Sequence, residues 1–425
     1  MAASRSRLHV LLLSCTRCSA VRLGQPLLFD QQYRTISLSR SSTFQRCFRT
    51  IRQTTCNQCL DHRLQSSPRQ QELFQIEPSR AYHISSSCSG SSRVESSNDA
   101  AVQDSYRLVE SEMSTLCDSI RHELSINQGE LGTIVRYYFD GTGKAFRPMV
   151  VMLMAKACNF HQQTEQLISD SQRNIAMITE MLHTATLIHD DVIDASDSRR
   201  GKDSINLVWG QRKAILAGDY ILSIVSTILA RIGNPEVVSI MSQVVEDLVR
   251  GEFMQLGSKE DENERFKHYL DKTFKKTASM LAASCQSVAV LGGCNDAISH
   301  IAYQYGRNLG IAFQLVDDLL DFVSSEQQMG KPTAADLKLG LATAPVLFAA
   351  QQYPELNPLI MRRFNQEGDV ETARSLVAKS DGIEQTKILA SEHTKEAVRL
   401  LQHLTSSNVQ QALMRLTQEL LTRQK

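Results

Sequence analysis

The sequence is poor in the residues that break helices. It has 20 glycines and 9 prolines in 425 positions, whereas about 7% and 5% are usual. This scarcity excludes a collagen-like chain and a Pro/Gly-rich disordered chain, and it favours long helices. The sequence also lacks a continuous run of 18 apolar residues, so no membrane-spanning helix is predicted.

The chain carries no net charge, with 46 basic and 46 acidic side chains, which gives no support to a general nucleic-acid-binding protein. The charges are unevenly distributed, because residues 1–60 contain nine arginines, no lysine and a single acidic residue, Asp30. A segment rich in Arg and Ser and almost free of acids is typical of a mitochondrial transit peptide. Residues 1–100 are therefore predicted to be a transit peptide and a disordered Ser-rich leader.

The cysteines indicate neither a zinc finger nor a disulfide framework. Six of the ten lie in the leader, and the other four are scattered at positions 117, 158, 285 and 294. Cys56 and Cys59 have a zinc-finger spacing, but no second ligand pair follows them. We expect the four remaining thiols to be reduced and buried.

Beyond about residue 106 the apolar residues recur every three or four positions, a period that predicts helices. The clearest predicted helices are 149–158, 172–194, 211–232, 236–256, 265–291, 297–325 and 339–351. Residues 101–425 are therefore predicted to form one large all-α domain.

Two acidic clusters lie inside apolar helical segments, and each has the pattern Asp-Asp-x-x-Asp. The clusters are Asp190, Asp191 and Asp194, and Asp317, Asp318 and Asp321. On a helix, residues four apart share a face, so two carboxylates of each cluster can converge. Uncompensated carboxylates would repel one another, and oxygen ligands of this kind suit Mg²⁺ that shares its coordination shell with phosphates. One such cluster is usually a solvated helix face, but two copies in apolar surroundings favour a metal site.

Basic side chains accompany both acidic clusters, as a site for a polyphosphate requires. They are Lys144 and Arg147 in a Gly-containing loop, Arg199 and Arg200 after the first cluster, Lys275 and Lys276 between the clusters, and Lys331 after the second. The loop precedes a helix whose first turn suits Pro148, an arrangement that binds anions.

These motifs together resemble the trans-isoprenyl diphosphate synthases, and within that family the mitochondrial long-chain enzymes. The motifs are Gly143-Lys144-x-x-Arg147-Pro148, His183 ahead of the first Asp cluster, Arg199-Arg200-Gly201, Lys276-Thr277, Phe313-Gln314 ahead of the second Asp cluster, and Gly330-Lys331-Pro332. The resemblance covers roughly residues 106–425. It implies a single helical domain around a central cavity, the isoprenoid synthase fold, and head-to-tail condensation of isopentenyl diphosphate onto an allylic diphosphate.

The resemblance also implies a role for each residue. The implied direct metal ligands are Asp190, Asp194 and Asp317, supported by Asp191, Asp318 and Asp321. Isopentenyl diphosphate would be bound by Lys144, Arg147, His183 and Arg200, and the allylic diphosphate by Arg199, Lys276 and Lys331. The allylic cation would be stabilised by the dipoles of Thr277 and Gln314. Many relatives have Lys where this chain has Leu341, so one basic contact is expected to be missing.

The implied cofactor is Mg²⁺, with three ions when substrate is bound, and the implied substrates are isopentenyl diphosphate with farnesyl or geranylgeranyl diphosphate. The implied product forms the ubiquinone side chain. The implied protein partner is a second polyprenyl synthase subunit in a hetero-oligomer, with peripheral contact to the inner mitochondrial membrane and no nucleic acid.

Two other functions fit parts of the sequence. His189-Asp190 in a helical protein resembles the HD-type metal-dependent phosphohydrolases, but that class leaves the second Asp cluster unexplained. For His189 itself, a packed or hydrogen-bonded helix histidine is the favoured interpretation. A non-catalytic partner subunit would be expected to have lost its acidic clusters, and both are intact.

The length of the product is expected to depend on the residues that precede the first acidic cluster. Short-chain enzymes place aromatic rings four and five residues before the first Asp, where this chain has the small residues Thr186 and Ala185. A growing chain can then extend past Leu182, Met181 and Ile178, each helical turn adding about 5.4 Å of depth.

Replacing Ala185 by Phe is therefore expected to shorten the product, because the ring would block the path along the helix. Chromatographic sizing of the prenyl product measures the effect. An unchanged product length in Ala185→Phe would contradict the argument from side-chain size.

Overall fold

The computed structural model describes residues 104–125, 129–140, 145–164, 167–256, 262–323 and 334–423. The predicted leader, Lys144 and Lys331 lie outside these residues. Nearly all of the described chain is helical, apart from a two-stranded antiparallel hairpin. The predicted all-α fold is confirmed.

The first helices are α1 (Glu110–Ser114), α2 (Leu116–Glu123), α3 (Glu130–Arg136), α4 (Phe146–His161) and α5 (Asp170–Ile193). After the hairpin of β1 (Ser198–Arg199) and β2 (Lys202–Asp203) come α6 (Ile205–Trp209), α7 (Gln211–Ile232), α8 (Pro235–Leu256), α9 (Glu262–Thr273), a π-helical turn (Phe274–Ala278), α10 (Ser279–Leu291) and α11 (Asp296–Val323). The C-terminal part contains α12 (Ala335–Lys338), α13 (Ala344–Gln352), α14 (Leu356–Met361), α15 (Asp369–Lys379), α16 (Gly382–Leu401), α17 (Asn408–Glu419) and a 3₁₀ turn (Leu420–Thr422).

Two predicted helices differ from the observed ones. The predicted helix 265–291 is interrupted by the π-helical turn, and the predicted helix 339–351 begins only at Ala344. Gly340 adopts a left-handed conformation with φ of 77°, which ends α12, and Pro345 occupies the first turn of α13, where its missing N–H costs nothing. Apolar periodicity alone does not detect either break.

The core is built from long helices that pack along one another. α4 packs on α5 and α10, α10 packs along α11, and α11 lies between α10 and α16. Apolar residues of α4 from Met149 to Ala155 are almost completely buried, so α4 is a central helix with no solvated face there. This packing fixes the positions of α5 and α11, which carry the two acidic clusters.

Both acidic clusters lie at the C-terminal ends of their helices. α5 begins with a capping box between Ser169 and Gln172 and runs for 24 residues to Ile193. α11 runs for 28 residues and ends at Val323. Because the C-terminal end of a helix carries partial negative charge, carboxylates there are unfavourable unless cations lie nearby.

Among the described residues one helix, α7, is long and apolar enough by composition to cross a membrane, and one third of its apolar window is buried. The sequence did not predict this, because α7 has no uninterrupted run of 18 apolar residues: Asp219 and several small polar residues interrupt its apolar positions. α7 packs along α5, as a helix of a folded bundle does. A membrane-spanning helix and a packed helix of a folded bundle can have the same length and composition.

The contact between α10 and α11 depends on small residues. A Cβ atom on Gly306 would lie 2.6 Å from the carbonyl oxygen of Leu281 and 2.8 Å from the nitrogen of Ala282. Both neighbours are backbone atoms of α10, so they cannot rotate away. Gly306 therefore sets how closely α10 and α11 approach.

Gly306→Ala is expected to lower the free energy of unfolding by about 1–3 kcal/mol, because the helices must separate to admit the methyl group. Chemical denaturation measures the change. Gly233→Ala serves as a comparison, since that site has a left-handed backbone and no atom closer than 3.9 Å, and it should cost only about 1 kcal/mol. A Gly306→Ala protein as stable as the wild type would contradict the proposed close contact.

Candidate functional site

The carboxylates of the first acidic cluster have different surroundings. Asp191 is 1% exposed and accepts hydrogen bonds from Nε and Nη2 of Arg199, at 2.9 and 2.5 Å, and from the hydroxyl of Tyr138 at 3.3 Å. Asp190 and Asp194 lie one turn apart on the other side of the helix end, and both are partly exposed. Asp191 is therefore held by protein donors, whereas the pair Asp190 and Asp194 faces outward.

The second cluster is divided in the same way. Asp318 accepts hydrogen bonds from the Tyr269 hydroxyl at 2.5 Å, from Gln314 Nε2 at 2.9 Å and from the backbone N–H of Ala344 at 3.3 Å. These donors come from three different elements. Asp318 is thus occupied within the protein and helps to join α9, α11 and α13.

Asp321 and Asp317 complete the second cluster. Asp321 accepts hydrogen bonds from the backbone N–H groups of Ala335 and Asp336, at 3.0 and 3.3 Å, and so caps the first turn of α12. Asp317 is 2.9 Å from Nη1 of Arg423, a residue near the C-terminus. Each of the three carboxylates that the family resemblance implies as direct ligands therefore has a cation beside it: Lys276 acts on Asp190 and Asp194, and Arg423 pairs with Asp317.

Burial raises the pKa of several of these carboxylates. Desolvation raises the pKa of Asp190 to about 6, although Lys276 opposes the shift. It raises the pKa of Asp318 to about 6 as well, against the hydrogen bonds from Tyr269 and Gln314. Asp336 lies beside the cluster, and burial followed by repulsion from Asp318 raises its pKa to about 7. Burial therefore disfavours the ionised form of these carboxylates, and a bound cation would favour it.

The π-helical turn directs Lys276 toward the first cluster. Nζ of Lys276 is 2.5 Å from Oε2 of Glu252 and 3.8 Å from Oδ2 of Asp190. α8 can approach this closely because it has a glycine at the contact: a Cβ on Gly251 would lie 2.9 Å from the nitrogen of Lys276. The neighbouring Lys275 instead pairs with Asp247 at 2.6 Å.

The same turn brings together the two predicted cation-stabilising residues. The hydroxyl of Thr277 donates to Oε1 of Gln314 at 2.9 Å. Gln314 in turn donates to Asp318, so the dipoles of Thr277 and Gln314 are fixed relative to the second cluster.

The predicted isopentenyl diphosphate residues within the described chain also converge. Nη1 of Arg147 is 3.1 Å from Nε2 of His183, and Nη2 of Arg200 is 3.3 Å from Oε1 of Glu180. Burial, and then the charge of Arg147, hold the pKa of His183 well below its usual range, so its imidazole is neutral at physiological pH.

The short hairpin orients the two neighbouring arginines. Arg200 and Gly201 have φ values of 54° and 74°, as the central residues of a type I′ turn require. Arg199 extends to Asp191, whereas Arg200 extends to Glu180. The sequence predicted few strand-like segments. The turn between β1 and β2 separates the guanidinium groups of Arg199 and Arg200.

Several residues of the site were not identified from the sequence. They are Tyr138, Glu180, Glu252, Tyr269, Lys272, Asp336 and Arg423. Arg423 lies over the ring of Phe313 at 4.5 Å, and Arg147 lies near the same ring at 5.8 Å. No local pattern marks such residues, because their partners are far away in the sequence. Lys272 and Leu341 line the same cavity of about 80 Å³. Lys272 therefore places a cation near Leu341, the position at which many relatives have Lys.

The structure places His189 away from a ligand position. Its Nε2 lies 3.3 Å from the carbonyl oxygen of Ile215 and 3.6 Å from Asp219. Its ring packs against Gly218, where a Cβ would be only 2.2 Å away. His189 is therefore a packing residue between α5 and α7.

The predicted chain-length residues lie on α5 one turn before the first cluster. Ala185 is completely buried, as are Ile178, Met181 and Leu182. The hydroxyl of Thr186 donates to the carbonyl oxygen of His183 at 2.8 Å. The methyl group of Thr186 is therefore the part of the side chain that is left for apolar contacts. The side of the helix below the cluster is thus apolar over more than two turns.

The donor set fits Mg²⁺ better than a softer metal. In the described ranges, no three His, Cys, Asp or Glu side chains form a ready-made metal cluster. Carboxylate oxygens such as those of Asp190, Asp194 and Asp317 suit hard cations, and Mg²⁺ usually keeps several waters and shares its shell with phosphates. Carboxylates on two helices with cations beside them match that mode of binding.

Comparison with known proteins gives a consistent picture. The sequence profile of the polyprenyl synthetase family matches residues 128–377. The human all trans-polyprenyl-diphosphate synthase PDSS1 is 59% identical over 323 residues, which cover 76% of this chain and 78% of the human protein. Decaprenyl-diphosphate synthase subunit 1 of Schizosaccharomyces pombe is 42% identical, over 75% of this chain and 91% of the yeast protein.

Solved structures share the fold. A polyprenyl synthase from Caulobacter crescentus, complexed with calcium and isoprenyl diphosphate, has a TM-score of 0.69 and 29% identity over 76% of this chain and 98% of its own. A decaprenyl diphosphate synthase from Rhodobacter capsulatus has a TM-score of 0.68 and 28% identity over 76% and 99% of the two chains.

A metal ion bound by Asp190 would compete with a proton, because burial raises the pKa of this carboxylate to about 6. Binding of Mn²⁺, which takes the same oxygen ligands as Mg²⁺, is therefore expected to be about tenfold weaker at about pH 5 than at about pH 7. Electron paramagnetic resonance of free Mn²⁺ measures this affinity. Asp170→Asn changes an exposed carboxylate at the other end of the same helix and should leave the pH dependence intact, whereas Asp190→Asn should reduce it. An affinity that is constant between these pH values would contradict the prediction.

Proposed function

Because the chain belongs to the polyprenyl synthetase family, we propose that it is the catalytic subunit of a mitochondrial decaprenyl or solanesyl diphosphate synthase. The family and the long-chain relatives make it a prenyltransferase, a polyprenyl diphosphate synthase of the long-chain type. The phosphohydrolase alternative loses its support, because His189 packs against α7. The single observation that carries the proposal is that acidic clusters at the ends of two helices each have a cation beside an aspartate, with Lys276 near Asp190 and Arg423 paired with Asp317.

The proposed cofactor is Mg²⁺, bound by Asp190, Asp194 and Asp317, with three ions when substrate is present. When bound, the metal supplies Lewis-acid stabilisation of the diphosphate leaving group. Asp191, Asp318 and Asp321 support these ligands indirectly, since each is held by donors from neighbouring elements. Such outer contacts fix the orientation of the helix ends that carry the ligands.

The proposed site for the allylic diphosphate is formed by Arg199 and Lys276, together with Lys331 outside the described residues. The charges of Arg199 and Lys276 lie beside the first cluster, as the contacts of Arg199 with Asp191 and of Lys276 with Asp190 indicate. Fixed cations next to a departing diphosphate stabilise the charge that develops there. Glu252 holds the ammonium group of Lys276 in place until the substrate binds.

The proposed site for isopentenyl diphosphate is formed by Arg147, His183 and Arg200, with Lys144 from the adjacent loop. A neutral His183 can donate one hydrogen bond while Arg147 and Arg200 carry the charge. Thr277 and Gln314 would then face the allylic cation with fixed dipoles. Positioning the double bond against the cation lowers the entropy cost of joining the two substrates.

The proposed product is long, because the chain has the small residues Ala185 and Thr186 where short-chain enzymes have aromatic rings. The proposed role of that product is the ubiquinone side chain. The protein is mitochondrial, in agreement with mitochondrial relatives from Neurospora crassa and rice. We place it in the matrix with peripheral inner-membrane contact, and we propose that residues 1–100 are the targeting leader and residues 101–425 the catalytic domain.

The proposed partner is a second polyprenyl synthase subunit. In support, α6, α7 and α8 expose large apolar side chains at Leu207, Val208, Leu216 and Phe253. Exposed large apolar side chains on neighbouring helices are the kind of surface that a partner subunit would cover. Substitution of Phe253 by Ser should then weaken assembly with the partner, as size-exclusion chromatography of the mixed subunits measures.

The deciding experiment incubates the protein, alone and with its partner subunit, with labelled isopentenyl diphosphate, farnesyl or geranylgeranyl diphosphate, and Mg²⁺. Formation of a prenyl chain of nine or ten units, lost in Asp190→Asn and Asp317→Asn, supports the proposal. Phosphate release without chain elongation, or full activity in both variants, would refute it.

Lys276→Ala is expected to raise the KM for the allylic diphosphate at least about tenfold, because a charge-assisted hydrogen bond is lost. The KM for isopentenyl diphosphate should stay within about twofold, since that substrate uses other cations. Lys275→Ala is a matched control, because Lys275 pairs with Asp247 instead. Steady-state kinetics with each substrate varied in turn separates the two constants, and equal increases in both would contradict the assignment.

A further inference from the structure

Glu180 is a buried carboxylate for which neither the sequence motifs nor the proposed mechanism gives a role. It lies on α5, three residues before His183, and is 8% exposed. Its Oε1 accepts a hydrogen bond from Nη2 of Arg200 at 3.3 Å. Its charge also acts on Arg147, the second guanidinium of the same region. A buried acid of this kind is costly unless it is paired.

The charges around Glu180 explain why a carboxylate is needed there. Burial lowers the pKa of Arg147, the charge of Glu180 opposes this shift, and the charge of Arg200 adds to it. Without an anion, the repulsion between the two guanidinium groups would be left uncompensated. Arg200 lies in the hairpin turn and is 26% exposed, whereas Arg147 is held at the start of α4 next to His183.

We infer that Glu180 is a positioning residue that keeps Arg200 beside Arg147 and His183, so that both guanidinium groups meet the diphosphate of isopentenyl diphosphate. The inference rests on the proposed function, because it deepens the assignment of that diphosphate site. Glu180 does not contact the substrate itself; it acts through Arg200. One carboxylate leaves the two arginines with a net single positive charge, so the site still attracts an anion.

The test compares Glu180→Gln and Glu180→Asp with the wild type. Glu180→Gln should raise the KM for isopentenyl diphosphate about tenfold, because a hydrogen bond between two charged groups becomes one with a neutral acceptor. The KM for the allylic substrate and kcat should change by less than about twofold. Glu180→Asp keeps the charge and should recover part of the affinity.

A double-mutant cycle with Arg200→Gln separates positioning from a general effect on folding. If Glu180 acts through Arg200, then Glu180→Gln adds no further increase in KM once Arg200 is replaced. Additive effects would overturn the inference. Calorimetric titration with isopentenyl diphosphate alone, where no turnover occurs, gives the same comparison for binding.

Glu112→Gln is a matched control, because Glu112 is equally buried and pairs with Lys156 at 3.0 Å away from the site. It should lower the thermal midpoint but leave the KM for isopentenyl diphosphate unchanged. If the proposed function itself is wrong, the wild-type protein will neither bind isopentenyl diphosphate nor elongate it. If only the inference is wrong, the wild type will be active and Glu180→Gln will have a normal KM, which distinguishes the two failures.

Discussion

The structure depends on how negative charge is tolerated at the C-terminal ends of two largely buried helices. α5 and α11 each end in three aspartates, where the helix dipole already disfavours anions. Donors from other elements offset this unfavourable placement by hydrogen-bonding Asp191, Asp318 and Asp321. The remaining carboxylates lie next to cations such as Lys276 and Arg423, an arrangement suited to exchange with metal ions.

The cations of the site are restrained in the same way by anions of the protein. Glu252 holds Lys276, Glu180 holds Arg200 and Asp317 holds Arg423. Each pairing offsets part of the cost of burying a charge. These ion pairs fix the orientation of the cations before any ligand is present, which is consistent with fixed rather than reorganising electrostatics in catalysis.

The local backbone irregularities coincide with the groups that face this site. The π-helical turn carries Lys276 and Thr277, and the type I′ turn carries Arg200. Irregular turns of this kind are frequent at functional sites, because they direct adjacent side chains to different partners. The apolar periodicity predicted a regular helix that continues from α9 through Lys276. The π-helical turn interrupts that helix.

The sequence alone determined the all-α class, the bounds of α7 and the spacing of the carboxylates within each acidic cluster. These features depend on spacing within one segment: a period of 3.6 residues defines a helix face, and carboxylates four apart share one. The tertiary structure decided which aspartates accept hydrogen bonds from Tyr138, Tyr269 and backbone N–H groups. It also brought Arg423 to Asp317, 106 positions away in the sequence. Such contacts arise from the packing of whole helices, and no local spacing encodes them.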